Sequence, residues 1–156
     1  MLYLIPMNAP HAAGLAALFL ATTLVAFVSC RRPTPEGTLV VSDHETRFRI
    51  TVAGIERDGF LYVPPNPPNS EPLSLMYALH GGNQSGSEFS GMGLNRFANA
   101  LGFIVAYPNG IGRRWDSAND VAFFVELTKA LEGRYAIDPR RVYATGISAG
   151  AIVAYE

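Results

Sequence analysis

The stretch that decides the fold is TGISAG, Thr145–Gly150, preceded by the apolar RVYA (141–144) and followed by AIVAY (151–155). A serine hydroxyl is a poor nucleophile unless it is held clear of the chain, aimed at its substrate and given a base. A G-x-S-x-G turn between a strand and a helix supplies the first two conditions. Gly146 and Gly150 leave room for neighbouring backbone, Ser148 occupies the sharp turn, and the N–H of Ala149 opens the helix, where it can meet a developing oxyanion. The flanking residues fit a buried strand on one side and a helix on the other. Ser148 is therefore the candidate nucleophile and Ala149 a candidate oxyanion donor.

Working outward, LSLMYALHGG (73–82) and FIVAYPNG (103–110) are continuous apolar runs that end in turn residues, as expected of central parallel strands buried on both faces. LNRFANALG (94–102) places Leu94, Phe97, Ala98 and Leu101 on one helical face, with Gly102 as a stop. DVAFFVELTKALEGRY (120–135) turns Phe123, Phe124, Leu127, Ala130 and Leu131 inward and Glu126 and Lys129 outward, with Asp120 as its N-cap. Upstream, RFRITV (47–52) and GFLYVP (59–64) read as an antiparallel pair turning through GIERDG, and PNPPNSEP (65–72) is a surface connection. The alternation of strand and helix indicates an α/β layer architecture with right-handed crossovers.

The chain of 156 residues is 49% apolar and 16% charged, an ordinary folding composition. A net charge of −1 gives no electrostatic reason to expect nucleic acid as a partner. No charged residue precedes Arg31, and AAGLAALFLATTLVAFVS (12–29) is an uninterrupted apolar and small-residue run. That run is an export signal or a membrane anchor. It ends in FVSC, and Cys30, the only cysteine, stands at the junction with RRPTPEG. The junction resembles a bacterial lipoprotein signal, which implies cleavage before Cys30 and lipid on its thiol. An uncleaved anchor helix is the alternative, since 18 residues at ~1.5 Å rise nearly cross a ~30 Å hydrocarbon layer. The organisation expected is a signal or anchor over 1–30, a linker over 31–45 and a catalytic-domain portion over 46–156. The location expected is extracellular, periplasmic or anchored to the cell envelope.

LHGGNQSG (79–86) closes a central strand, where acyl transfer needs a second backbone donor opposite the serine. Gly81, Gly82 and Asn83 are the candidates, and Gln84 either braces that loop or touches substrate. His80 either orients the loop or acts as base. Trp115 is a candidate substrate contact, with loop packing as its alternative. Asp116 and Asp120 suit neither a metal site nor a triad acid. His11 and His44 lie in the signal segment and on the early edge of the sheet. No cluster of His, Cys and carboxylates at ligand spacing is visible, so neither a metal nor a cofactor is expected.

LHGGNQSG, FANALGFIVAYPNGIGRRWD (97–116) and NDVAFFVELTKALEGRYAIDPRRVYATGISAGAIVAY (119–155) together resemble the secreted polyhydroxybutyrate depolymerase and feruloyl-esterase-like family of α/β-hydrolases. The similarity runs from about residue 46 to the last residue. It implies a three-layer α/β-hydrolase fold with a mostly parallel sheet, truncated after the nucleophile elbow, and ester hydrolysis through an acyl-enzyme on Ser148. In that family an Asp and then a His follow the serine, so the chain is expected to be an N-terminal portion, inactive alone, with its nucleophile strand left as an apolar edge. The implied partner is an ester: a polyester, a feruloyl or acetyl sugar ester, or a small lipid ester. The alternative is a non-catalytic hydrolase remnant or surface binding module. For the export segment the expected outcome is that Cys30→Ala abolishes metabolic labelling with a fatty acid, and unchanged labelling contradicts the lipoprotein reading.

Overall fold

The computed structural model describes residues 35–41, 47–67 and 72–156. The segment expected to direct export, with His11 and Cys30, and His44 near the sheet edge lie outside the described residues.

Among the described residues, six strands form one sheet in the order β1-β2-β3-β5-β4-β6: β1 Val40–Val41, β2 Arg47–Val52, β3 Ile55–Tyr62, β4 Leu73–Leu79, β5 Phe103–Pro108 and β6 Ile137–Gly146. The first three are joined antiparallel and β3 meets β5 antiparallel, whereas β4 runs parallel to both β5 and β6. The two apolar runs LSLMYAL and FIVAYP thus occupy the interior of the sheet, as their continuous hydrophobicity requires. The strand β1 lies inside the stretch read as linker.

The β2–β3 hairpin turns earlier than the sequence suggests. Val52 pairs with Ile55, and the two-residue loop between them has positive φ at both positions, Ala53 at 51° and Gly54 at 73°. That hand matches the strand twist, so the pair closes tightly. The Glu36 carboxylate accepts hydrogen bonds from both loop N–H groups, at 2.6 and 3.2 Å. GIERDG is therefore strand from Ile55 onward rather than a turn. Its second glycine, Gly59, serves packing: a Cβ there would lie 2.6 Å from both the Phe48 ring and the Tyr107 carbonyl.

Among the described residues, four α-helices pack on the sheet: α1 Gly86–Ser90, α2 Leu94–Leu101, α3 Ser117–Glu132 and α4 Ala149–Tyr155. The main core gathers Phe48, Ile50, Leu61, Leu75, Leu79 and Ile104 from the sheet with Phe123, Leu127 and Leu131 from α3. The face read for α3 is the buried one, with Phe124 and Ala130 at its margin. On α2 only Ala98 is buried, while Phe97 and Leu101 remain 48% and 67% exposed. The helix meets the sheet through Ala98 and the half-buried Leu94 and accepts hydrogen bonds from Tyr107 on Asn95 and from Tyr62 on Asn99, while Phe97 and Leu101 face outward.

The cap of α3 is corrected to Asp116, whose carboxylate accepts from the N–H of Ala118 at 3.2 Å. Asp120, one turn inside, is buried. It accepts from the Arg57 guanidinium at 2.6 Å and from the N–H of Asp116 at 2.6 Å. The Arg57 guanidinium also lies 4.0 Å above the Phe123 ring. This buried pair ties β3 to the start of α3. Removing one partner leaves an uncompensated buried charge, so Asp120→Ala is expected to cost about 3–5 kcal/mol in denaturant unfolding. Glu126→Ala, which breaks only the exposed bridge to Lys129, is expected to cost less than about 1 kcal/mol. Equal costs for the two substitutions would contradict this assignment.

Candidate active site

The C-terminal ends of β4 and β6 lie side by side, with Leu79 paired to Gly146. Beyond that pair the two chains turn against each other. Ile147 donates its N–H to the Leu79 carbonyl at 3.2 Å, and α4 begins two residues later. Ser148, exposed at the corner, has φ 51° and ψ −117°. A non-glycine residue there is strained by about 1–3 kcal/mol and persists only where its surroundings force it. The surroundings are backbone. A Cβ at Gly146 would lie 2.4 Å from the Gly150 carbonyl carbon, and one at Gly150 would lie 2.2 Å from the Leu79 oxygen and 2.5 Å from the His80 oxygen. The G-x-S-x-G spacing is thus a steric requirement at both glycines.

Opposite the serine, residues 81–84 form a turn closed by the Gln84 N–H on the Gly81 carbonyl at 3.1 Å, with Asn83 at φ 61°. Two of the three candidate donors are engaged elsewhere. The N–H of Gly81 donates to Gln84 Oε1 at 2.9 Å, and that of Asn83 donates to the Arg113 carbonyl at 3.0 Å. Among the described residues no hydrogen bond takes the N–H of Gly82. A Cβ at Gly82 would lie 4.0 Å from the Ala149 Cβ, so Gly82 faces the start of α4. Ala149, as the first residue of that helix, has no intrahelical carbonyl for its own N–H. Gln84 braces the loop through its side-chain oxygen.

His80 is fully buried, and both of its ring nitrogens have partners. Nδ1 lies 2.7 Å from the Gly81 carbonyl, and Nε2 accepts the N–H of Gly110 at 3.0 Å. A carbonyl requires a donor and an N–H requires an acceptor, which assigns the proton to Nδ1 of a neutral ring. With both nitrogens committed, His80 has none to offer Ser148. Trp115 stacks on this imidazole with centroids 4.6 Å apart and donates its indole N–H to the His80 carbonyl at 2.7 Å. Its polar edge is therefore bound within the protein. Asp116 and Asp120 are engaged at the start of α3.

Sequence reasoning missed the role of residues 109–113, which follow β5. Asn109 Oδ1 accepts the N–H of Gly86, Gly110 holds His80, and Arg113 reaches both Gln84 and Glu88. PNG after an apolar strand reads only as a turn, because nothing in the local sequence states what the turn holds. Ser85 and Glu88 form a capping box on α1, with the hydroxyl accepting from the Glu88 N–H and donating to its carboxylate. The Ser85 hydroxyl, and then Arg113, hold the Glu88 carboxyl below its ordinary range.

No protein-family model matches the chain. It is 33% identical over 150 residues to a protein of Nocardia uniformis subsp. tsuyamanensis named "Putative esterase NocK", a match that covers 86% of this chain and 43% of that one. It is 30% identical over 108 residues to poly(3-hydroxyalkanoate) depolymerase C of Paucimonas lemoignei, covering 60% of this chain and 26% of that one. The chain thus spans less than half the length of these relatives. Among solved structures, the acetyl xylan esterase of Aspergillus awamori superposes with a TM-score of 0.56 at 24% identity, over 62% of this chain and 39% of that one. The fold is that of the α/β-hydrolases.

The strain at residue 148 is measurable. Ser148→Gly is expected to be more stable than Ser148→Ala by about 1 kcal/mol or more, because only glycine relaxes at that φ. Urea denaturation gives the comparison, and equal stabilities would contradict the elbow conformation.

Proposed function

We propose that this chain, which resembles the polyhydroxybutyrate depolymerase and feruloyl-esterase-like α/β-hydrolases in sequence and in fold, carries the nucleophile and oxyanion pocket of an exported serine carboxylic-ester hydrolase. The observation that carries the reading is the exposed Ser148 at φ 51°, held there by two glycines at which no Cβ fits. Stability alone does not favour such a residue at that corner. Clear presentation of its hydroxyl does.

In the proposed reaction Ser148 Oγ attacks the ester carbonyl carbon, and the carbonyl electron pair moves onto oxygen. The N–H groups of Gly82 and Ala149 receive that charge. Each such donor is worth about 2.7–4 kcal/mol in the transition state. The serine proton passes to a general base, the alcohol leaves as the tetrahedral intermediate collapses, and water then releases the acid from the acyl-enzyme. The base is not His80, whose nitrogens are both engaged. No other histidine is among the described residues, so these residues supply Ser148 with no imidazole base. Trp115 and Gln84 act in this scheme as braces of the oxyanion loop, Trp115 through the His80 carbonyl and Gln84 through the Gly81 N–H.

The substrate class proposed is a polyester, a feruloyl or acetyl sugar ester, or a small lipid ester, met outside the cytoplasmic membrane after export through the 1–30 segment, with Cys30 as the lipid anchor. A non-catalytic surface module is the second reading, favoured by the commitment of the one described histidine. The two readings separate on hydrolysis of p-nitrophenyl butyrate by the protein purified from its own host. Ser148→Ala is expected to abolish turnover, and Gly81→Val, whose side chain would displace Gln84 Oε1 from 2.7 Å, is expected to lower kcat with little change in KM. Turnover that survives Ser148→Ala would refute the serine mechanism.

A further inference from the structure

We infer that Asn109 is a positioning residue for the oxyanion loop, acting with Gly110 as a two-point clamp that holds the loop at its entrance and its exit. This inference rests on the proposed role of Gly82. The loop leaves β4 at His80 and enters α1 at Gly86. Consecutive residues of the β5 loop hold these two ends. At the entrance, the Gly110 N–H fixes His80 Nε2, and His80 Nδ1 fixes the Gly81 carbonyl. At the exit, Asn109 Oδ1 accepts the Gly86 N–H at 2.8 Å.

The clamp is itself anchored on β3. Asn109 Nδ2 donates to the Asp58 carboxylate at 3.1 Å, and its backbone N–H donates to the Asp58 carbonyl at 2.9 Å. The Asn109 carbonyl accepts from Arg57 at 3.4 Å, so the clamp also meets the buried Arg57–Asp120 pair. Backbone crowds both holding points. A Cβ at Gly86 would lie 2.2 Å from the Tyr107 carbonyl oxygen, and one at Gly110 would lie 2.2 Å from the Arg114 carbonyl oxygen. The turn between the two held ends carries Gly82. Its direction toward Ala149 therefore depends on a side chain that touches neither substrate nor nucleophile.

The first test does not depend on activity. Amide hydrogen exchange is compared in the wild-type chain, in Asn109→Ala, and in the double variant Asn109→Asp with Asp58→Asn, which exchanges donor and acceptor while keeping an acceptor for Gly86. Asn109→Ala removes the side-chain hydrogen bonds to Gly86 and Asp58, so exchange over 81–86 is expected to rise about tenfold or more while β4 and β5 stay protected. The double variant is expected to restore protection. Should Asn109→Ala not fold, Asp58→Ala removes only the anchor on Nδ2 and reads the same loop. Unchanged loop exchange, or a rise spread equally over β4 and β5, overturns the inference. In the protein from its own host, Asn109→Ala is further expected to lower kcat about tenfold with KM within about twofold, and the double variant to recover kcat. Absence of ester hydrolysis in the wild type would contradict the serine reading and leave the exchange result to decide the clamp.

Discussion

Everything at the candidate site follows from one close approach: the backbone of Gly150 against the carbonyls of Leu79 and His80, with no room for a Cβ between them. Because α4 starts in direct contact with the end of β4, the chain leaving β6 must reverse within two residues. The reversal forces Ser148 to positive φ and leaves its side chain exposed. The same contact sets the start of α4 beside Gly82. The Ser148 corner and the turn that carries Gly82 are thus joined by backbone packing.

The sheet order makes that contact available. Two parallel strands, β4 and β6, are neighbours although a strand and three helices separate them in sequence, so their C-terminal ends open at the same edge. In open α/β sheets this carboxyl edge is where ligands bind. The third parallel strand, β5, sends its own loop across the same edge, and residues 109–113 hold the loop after β4 at His80, Asn83, Gln84 and Gly86. The antiparallel strand β3 supports that loop from behind through Asp58 and Arg57. Rigidity at the site is therefore supplied in part by strands that lead to neither Ser148 nor Gly82.

The parts of the structure legible in sequence were those with a local cause. The two apolar runs could only be interior strands, the α3 face followed from its period, and G-x-S-x-G carried its own steric logic. What escaped had a distant cause. Gly59 read as a turn residue, whereas it is small because Phe48 and Tyr107 lie against it. Asp120 read as a cap, yet its partner Arg57 is 63 positions away in the chain. Asn109 read only as a turn residue, and its partners lie on β3 and at the start of α1. For His80 the sequence left two roles open, and the hydrogen bonds on both ring nitrogens remove one of them.

The central claim is that Ser148 takes the acyl group of an ester. Mass spectrometry of the protein from its own host, quenched in acid during hydrolysis of p-nitrophenyl butyrate, tests it most directly. The account predicts a butyryl group on the peptide that contains Ser148, lost when hydrolysis is complete and absent in Ser148→Ala. A butyryl group on another residue, or turnover with no acylated peptide under conditions that trap acyl-enzymes of known serine esterases, would contradict it.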